Sequence, residues 1–130
     1  MINIREYAPA IYTLAKVLNE NVNEDVLSDI VWAFSYITDE GGDENILPFI
    51  KSNVAPRLLQ LLNHTNNLIA VPSLRTLGNI LTASDELTAQ VLDQGVLEAF
   101  TTLLDHPKRV IKKEICWTIS NITAGQQEQI

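Results

Sequence analysis

The sequence is poor in the residues that build small cross-linked or metal-bound folds. Of its 130 residues one is cysteine, five are glycine, five are proline and only 6% are aromatic. A single cysteine excludes an internal disulfide framework and a four-cysteine zinc site. The apolar share is nevertheless 46%, so the chain can bury a sizeable core and is not disordered. At this length we expect one compact domain.

Long hydrophobic runs are also missing. The longest stretch without a charge, Leu58–Leu74, is interrupted by Gln60, several asparagines and Pro72, so no helix built from it would cross a bilayer. The N-terminus carries Arg5 and Glu6 where a signal peptide would have its apolar run. We therefore expect no secretion and no membrane partner.

The negative charge is concentrated at one end of the chain. Residues 1–44 contain nine acids and two bases, while residues 45–130 contain seven of each, and the net charge is −7. Such a chain repels nucleic acid and attracts basic partners, an effect that fades as salt rises. The basic pairs Lys108-Arg109 and Lys112-Lys113 are interpreted as a solvated helix face. The charge therefore argues against a nucleic-acid partner and is compatible with a basic peptide.

Three segments repeat without gaps. They are VWAFSYIT (31–38), LRTLGNILT (74–82) and CWTISNIT (116–123), in which Trp32, Arg75 and Trp117 correspond. A period of roughly 40–47 residues with only helical patterning is typical of an armadillo or HEAT solenoid. We predict an all-α fold with a partial repeat at 7–39, full three-helix repeats at 43–83 and 84–125, and the start of another at 126–130. Within the last full repeat, Ser84 and Gly95 predict the start and end of one helix.

The third helix of each repeat has two distinct faces. One is apolar and is expected to fill the core, with Val31, Leu74 and Cys116 in one register position. The other face is formed by positions that lie on one side of the helix at about 100° per residue. Because the opposite, apolar face is expected to fill the core, this face is expected to point outward. That outward stripe consists of Asp29, Trp32 and Tyr36, then Pro72, Arg75 and Asn79, then Glu114, Trp117 and Asn121. Exposed tryptophan and asparagine favour a binding surface; the alternative is that the tryptophans cover a neighbouring repeat's core.

Other candidate residues have simpler interpretations. His64 and His106 share a turn position and are expected at helix ends. Gly78, Ser35 and Ser120 share one position and are expected where helices approach closely. No metalloprotease, dinucleotide-binding, P-loop or paired-carboxylate motif occurs in the sequence. We therefore expect no enzyme, no cofactor, no metal and no small-molecule substrate.

The segments CWTISNITAG and VWAFSYITD, with LRTLGNILT between them, resemble the armadillo repeats of the importin-α (karyopherin-α) family of nuclear-import adaptors. Trp-x-x-x-Asn on successive third helices is the family's pattern. The three units resemble about repeats five to seven, and the middle unit has Arg75 in place of tryptophan. The resemblance implies a right-handed superhelical solenoid that holds Lys/Arg-rich nuclear localisation signals, extended, along a concave groove.

The resemblance also implies roles for individual residues in part of the family's minor site. Asn79 and Asn121 would hold the peptide backbone, the Trp117 ring would stack on Lys or Arg stems, and Glu114 would receive the cationic head. Four more residues match family positions that line the minor pocket: Ser120, Leu81, Asp85 and Thr88. Two residues match positions nearer the junction between the family's two sites: Asp29 and Trp32.

The family further implies importin-β as a partner, through an N-terminal segment absent from this chain, and a location in both cytoplasm and nucleus. The alternative is a general armadillo scaffold that binds an extended partner unrelated to import. The preferred peptide distinguishes the two functions, since an import adaptor binds a Lys/Arg-rich peptide and the scaffold an acidic or apolar one. A repeat normally packs against its neighbours, so we also expect self-association through the open face of the last full repeat.

Overall fold

The protein is described by a computed structural model that covers residues 4–20, 23–39, 43–81, 96–103, 105 and 109–129. These residues form helices and turns and contain no strand, which confirms the all-α class. The helices are α1 (Ile4–Glu20), α2 (Glu24–Asp39), α3 (Asp43–Lys51), α4 (Ala55–Leu61), α5 (Asn67–Ile80), α6 (Val96–Leu103) and α7 (Arg109–Gln129). None of these described helices is long and apolar enough to span a membrane. The helix expected between Ser84 and Gly95 lies outside the described residues, as does His106.

Asparagine side chains cap the N-termini of two of the longer helices. The Asp25 amide donates to Asn23 Oδ1 at 2.9 Å at the start of α2, and the Leu68 amide donates to Asn66 Oδ1 at 2.9 Å at the start of α5. Each carboxamide thus satisfies one of the amides that the first helical turn leaves without a partner. His64 lies in the turn after α4, as expected, and its Nδ1 accepts the Asn66 amide at 3.0 Å.

The third helices of successive units lie side by side, with α2 packed on α5 and α5 packed on α7. The apolar face predicted for α2 and α5 is confirmed: Val31, Phe34, Leu74 and Leu77 are all at most 1% exposed. Phe34 also meets Phe49 of α3 edge to face, with ring centroids 5.0 Å apart. Burial of these aliphatic and aromatic side chains is the main favourable term that holds the layers together.

The prediction that Cys116 is a core residue is wrong. Its side chain is exposed, whereas Ile111, Ile115 and Thr118 are the buried residues among the described side chains of α7, which end at Ser120. These three lie at i, i+4 and i+7, which is one helical face, and this is the face that α7 turns toward the body of the protein. The register shared with Val31 and Leu74 therefore did not fix burial, because burial depends on what packs over each position.

The prediction that Pro72 faces outward is also wrong, since it is buried within α5. Proline has no backbone N–H, so it leaves the carbonyl of the residue four positions earlier without its helical donor. That residue is Leu68, and the Ser28 hydroxyl of α2 donates to its carbonyl at 3.2 Å. The Leu68 carbonyl, which Pro72 leaves without a donor in its own helix, thus accepts a hydrogen bond from the neighbouring helix.

The expected close approach is confirmed at Gly78, whereas Ser120 in the same register position is exposed. A Cβ atom on Gly78 would overlap the methyl group of Thr118 and lie 3.3 Å from its hydroxyl oxygen. Thr118 cannot easily turn away, because its hydroxyl donates to the Glu114 carbonyl at 2.8 Å and the residue is 1% exposed. The absence of a side chain at Gly78 therefore sets how near α7 comes to α5.

The helix α7 continues past Gly125 to Gln129 without a break. The expected end of the repeat at 125 is thus not marked by the end of a helix. The repeat boundaries at 7–39, 43–83, 84–125 and 126–130 remain predictions.

Candidate functional site

A groove of about 530 Å³ runs across α2, α5 and α7. Five of the residues predicted from the outward stripe line it, together with three others. The lining residues are Ser35, Tyr36 and Asp39 of α2, Arg75 and Asn79 of α5, and Lys113, Glu114 and Trp117 of α7. The third helices therefore bring one face of three successive repeats to a single surface, as their register predicts.

An ion pair between α5 and α7 forms part of the groove lining. The Arg75 guanidinium donates through Nε to Glu114 Oε2 at 3.1 Å and through NH2 to Oε1 at 2.7 Å, a two-point geometry that suits a carboxylate. The Glu114 side chain is 17% exposed and that of Arg75 is 42% exposed. Glu114 was expected to receive a ligand's cationic group, but the structure already pairs it with Arg75.

Arg75 also contacts the aromatic side chains of α2. Its guanidinium carbon lies 5.8 Å from the centroid of the Trp32 ring, within the range of a cation–π contact. Trp32 in turn lies beside Tyr36, with ring centroids 6.1 Å apart and planes tilted by 33°. One side chain of the middle repeat therefore connects an aromatic pair on one helix to a carboxylate on another.

The hydrogen bond to Glu114 raises the pKa of Arg75 above its ordinary value, and the nearby Glu114, Tyr36 and Asp39 add to the effect against the opposing cost of burial. A raised pKa keeps the cation present throughout the pH range in which proteins are ordinarily folded. Arg75 is thus a permanent positive charge in the groove lining.

Asn79 has a structural role that the sequence did not indicate. Its amide nitrogen donates to the Ser35 carbonyl at 3.3 Å and to Thr38 Oγ1 at 3.1 Å. Thr38 is 1% exposed, and its hydroxyl donates onward to the Phe34 carbonyl at 2.7 Å. Asn79 therefore links α5 to the end of α2 by hydrogen bonds, whereas the family resemblance implied only that it would bind a ligand's backbone.

Two aromatic residues of the lining are exposed. Tyr36 is 69% exposed and Trp117 is 51% exposed, so both rings are accessible to a ligand. Such large aromatic side chains on a concave surface are usual in binding sites.

Four other predicted site residues with described side chains do not line this groove: Trp32, Asp29, Leu81 and Ser120. Ser120 and Asp29 are exposed on α7 and α2. Leu81 is only 7% exposed and belongs to the core. The Asn121 side chain and both Asp85 and Thr88 lie outside the described residues.

Sequence reasoning missed Ser35, Asp39 and Lys113 in the lining. The signal for two of them was present, since Asp39 lies three residues after Tyr36 and Lys113 lies four before Trp117, each on the same helical face. Lys113 was instead interpreted as part of a solvated basic face. Among the described lining residues two are acids and two are bases, so the described part of the lining is balanced in charge although the chain is acidic.

The described part of the chain contains no group of three His, Cys, Asp or Glu side chains placed to hold a metal ion. The lining instead offers aromatic faces, an amide, a hydroxyl and charges of both signs. These groups are suited to binding the backbone and side chains of another chain.

Comparison with known sequences matches the chain to armadillo repeats and to importin alpha subunits. Residues 42–82 and 84–124 match the family model described as armadillo/beta-catenin-like repeat. Importin subunit alpha-1a of Oryza sativa subsp. japonica is 45% identical over 123 residues, which is 94% of this chain and 23% of that protein. Importin subunit alpha-3 of Arabidopsis thaliana is 46% identical over 110 residues, covering 84% of this chain and 20% of that protein. The chain thus spans about a quarter of the length of these relatives.

Solved structures agree with the sequence matches. A designed armadillo repeat protein in complex with the peptide (KR)4 superposes with a TM-score of 0.82 at 27% identity, covering 92% of this chain and 50% of that one. Computationally designed armadillo repeat proteins for modular peptide recognition superpose with a TM-score of 0.80 at 26% identity, covering 97% and 54%. The expected repeat fold is thereby confirmed, as is the resemblance to importin-α sequences.

Proposed function

Since this chain belongs to the armadillo/beta-catenin-like repeat family, we propose that its groove binds an extended, Lys/Arg-rich segment of a partner protein. The segment is a nuclear localisation signal of a cargo, and the chain forms part of a nuclear-import adaptor without catalytic activity. Such an adaptor works in both cytoplasm and nucleus. The proposal concerns the cargo peptide, and no residue of this chain is assigned to importin-β.

The observation that carries the proposal is the half-exposed Trp117 in a groove shared by three successive repeats. The aliphatic stem of a lysine or arginine can lie along such a ring while its charged head stays in water. Two facts about similar proteins support the basic character of the ligand: the relatives are importin-α subunits, and the designed armadillo protein was solved with (KR)4.

The net negative charge of the chain also favours a basic ligand. A net charge of −7 attracts a basic peptide over several ångströms, and Asp39 contributes an acid inside the groove. The lining also contains Arg75 and Lys113, so the attraction comes from the whole chain more than from the groove itself. We therefore expect weak binding: two or three contacts of roughly 1–2 kcal/mol each total at most about 6 kcal/mol before the cost of ordering is subtracted, which corresponds to a Kd of about 10⁻⁴ M or weaker.

The test is a calorimetric titration of this chain with a Lys/Arg-rich peptide and with the same peptide after replacement of its basic residues by alanine. We expect saturable binding of the first and none of the second. A Glu-rich peptide of equal length is the third titrant. Preference for that peptide, or equal binding of all three, would contradict the proposal and favour a scaffold for an unrelated partner.

A further inference from the structure

We propose that Leu68 and Val110 form an apolar subsite beside the groove, which binds an apolar side chain next to the basic part of the partner segment. The inference rests on the proposed function and adds a second class of ligand residue to it. Leu68 is the second residue of α5, and Val110 is the second residue of α7.

The first support is the position of the two side chains. Leu68 lies seven residues before Arg75, and Val110 lies seven residues before Trp117, which is two turns away on the same side of each helix. The two helices pack against each other, so equivalent residues are neighbours at about 8–10 Å, the usual distance between packed helix axes. Val110 also lies one turn before Glu114 of the groove lining. The pair therefore continues the groove face toward the N-terminal ends of α5 and α7.

The second support is the exposure of the pair. Leu68 is 58% exposed and Val110 is 41% exposed, although both side chains are aliphatic. Among the described residues five large apolar side chains are exposed, and four of them lie on this face of the third helices: Tyr36, Leu68, Val110 and Trp117. Apolar residues scattered singly over a surface need no explanation, whereas several on one face mark an interaction site.

The third support is the fixed backbone of Leu68. Its amide donates to Asn66 Oδ1 at 2.9 Å, and its carbonyl accepts the Ser28 hydroxyl of α2 at 3.2 Å. The carbonyl can accept this bond because Pro72 has no amide hydrogen to donate to it. Both backbone groups of Leu68 are thus held while its side chain remains in water. A ligand therefore meets a side chain that is already in place, and little ordering is needed on binding.

The charges beside the pair indicate which ligand residue it accepts. Arg109 precedes Val110, Lys113 lies one turn after it, and both bases are exposed. Neither takes part in the ion pairs found among the described residues. Two bases disfavour a lysine or arginine of the ligand at this place, whereas a leucine or valine carries no charge and loses exposed apolar surface on contact. The occupant is therefore an apolar residue of the same segment, outside its basic part.

The distance along α7 sets the spacing within the ligand. Seven helical residues separate Val110 from Trp117, which is about 10 Å along the helix axis. About three extended residues of a peptide span that distance. The apolar residue therefore lies about three positions from the lysine or arginine that contacts Trp117.

The experiment is a methyl NMR titration of this chain with four peptides. The first is Lys/Arg-rich with alanine flanks, and two others carry a leucine three residues before or three residues after the basic part. The fourth keeps the leucine and replaces the basic residues by alanine. We expect one of the two basic leucine peptides to bind about fivefold more tightly than the first peptide, because the contact buries apolar surface. The same peptide should shift the methyl signals of Leu68 and Val110.

Variants of the chain locate the gain. Leu68→Gln and Val110→Thr remove apolar surface at nearly constant size, so each should reduce the gain and the double variant should abolish it. Tyr12→Gln is the matched control, since Tyr12 is 41% exposed on α1 and lies outside the groove face. It should leave the gain unchanged.

Failure of the subsite and failure of the proposed function give different results. If the basic peptide binds but neither leucine adds affinity, or if the gain persists in the double variant or is lost equally in Tyr12→Gln, the subsite is overturned and the proposed function stands. If the fourth peptide binds as tightly as the basic leucine peptide, and only through Leu68 and Val110, the subsite stands and the proposed function fails. No binding of any peptide contradicts both. Circular dichroism verifies that each variant is folded, and Leu68→Ala replaces Leu68→Gln if that variant does not fold.

Discussion

Trp32 and Trp117 occupy the same register position of two repeats and have different surroundings. Arg75 lies over the ring of Trp32, and Tyr36 lies beside it, so Trp32 belongs to a contact within the protein. Trp117 is 51% exposed and lines the groove. The same residue type is thus structural in the first repeat and available to a ligand in the third, because the neighbouring side chain differs.

This difference predicts unequal effects on peptide binding. Trp117→Ala removes the exposed ring and should weaken binding of a Lys/Arg-rich peptide by about 0.5–2 kcal/mol, or roughly 2- to 30-fold. Trp32→Ala should change the Kd less, because its ring already contacts Arg75. Paired titrations of the two variants check this, with unfolding curves to separate loss of binding from loss of fold. Equal losses at both positions would contradict the assignment of Trp117 as the contact residue.

At the scale of the helices, two unusual residues of α5 determine how it packs. Pro72 exposes the Leu68 carbonyl to the Ser28 hydroxyl of α2, and Gly78 allows Thr118 of α7 to approach the α5 backbone. Proline and glycine are both poor helix formers in isolation. Here each is compensated by a contact with a neighbouring helix, one on either side of α5, so the middle helix is fitted to both neighbours at once.

The fit at Gly78 can be tested with a pair of substitutions. Gly78→Ala should gain about 1 kcal/mol of helix propensity and lose about 1–3 kcal/mol by overpacking against the Thr118 methyl group, a net destabilisation of about 1 kcal/mol. Thr118→Ser removes that methyl and keeps the hydroxyl that donates to Glu114. In the Thr118→Ser background Gly78→Ala should therefore stabilise the protein. Urea unfolding of the four forms measures both signs, and a stabilising Gly78→Ala in the unmodified chain would contradict the close approach.

At the scale of the whole molecule, the charge and the groove differ in character. The chain as a whole carries −7, with the acids concentrated in residues 1–44, while the described charged residues of the groove lining are balanced between the two signs. The acidity of the chain therefore promotes encounter with a basic peptide, whereas retention depends on aromatic and hydrogen-bonding contacts that salt does not screen.

Binding should accordingly weaken with salt only gradually. Between 0.01 and 0.15 M salt the screening length falls from about 30 to about 8 Å, and we expect the Kd for a Lys/Arg-rich peptide to rise about two- to fivefold. Titrations at these two ionic strengths, with the alanine-substituted peptide as the control, measure the change. A Kd independent of salt would indicate an apolar ligand and the scaffold alternative.

The class of fold, the repeat and the helix face that lines the groove were predictable from the sequence alone. These follow from spacing along a helix: a period near 42 residues superimposes Trp32, Arg75 and Trp117, and 100° per residue places Tyr36, Asn79 and Glu114 on their side. Asp39 and Lys113 were accessible to the same reasoning, since they lie one helical turn from predicted members of the stripe.

Which side chains of that face are available to a ligand depends instead on the packing of the helices against one another. Cys116 is exposed although its register partners Val31 and Leu74 are buried, because burial depends on what packs over a position. Glu114 and Asn79 are engaged by other helices, through Arg75 and Thr38, because partners about 40 residues apart in sequence become neighbours only when the repeats stack. Spacing fixes the direction in which a side chain points along its own helix, and it leaves open which group from the next helix it meets.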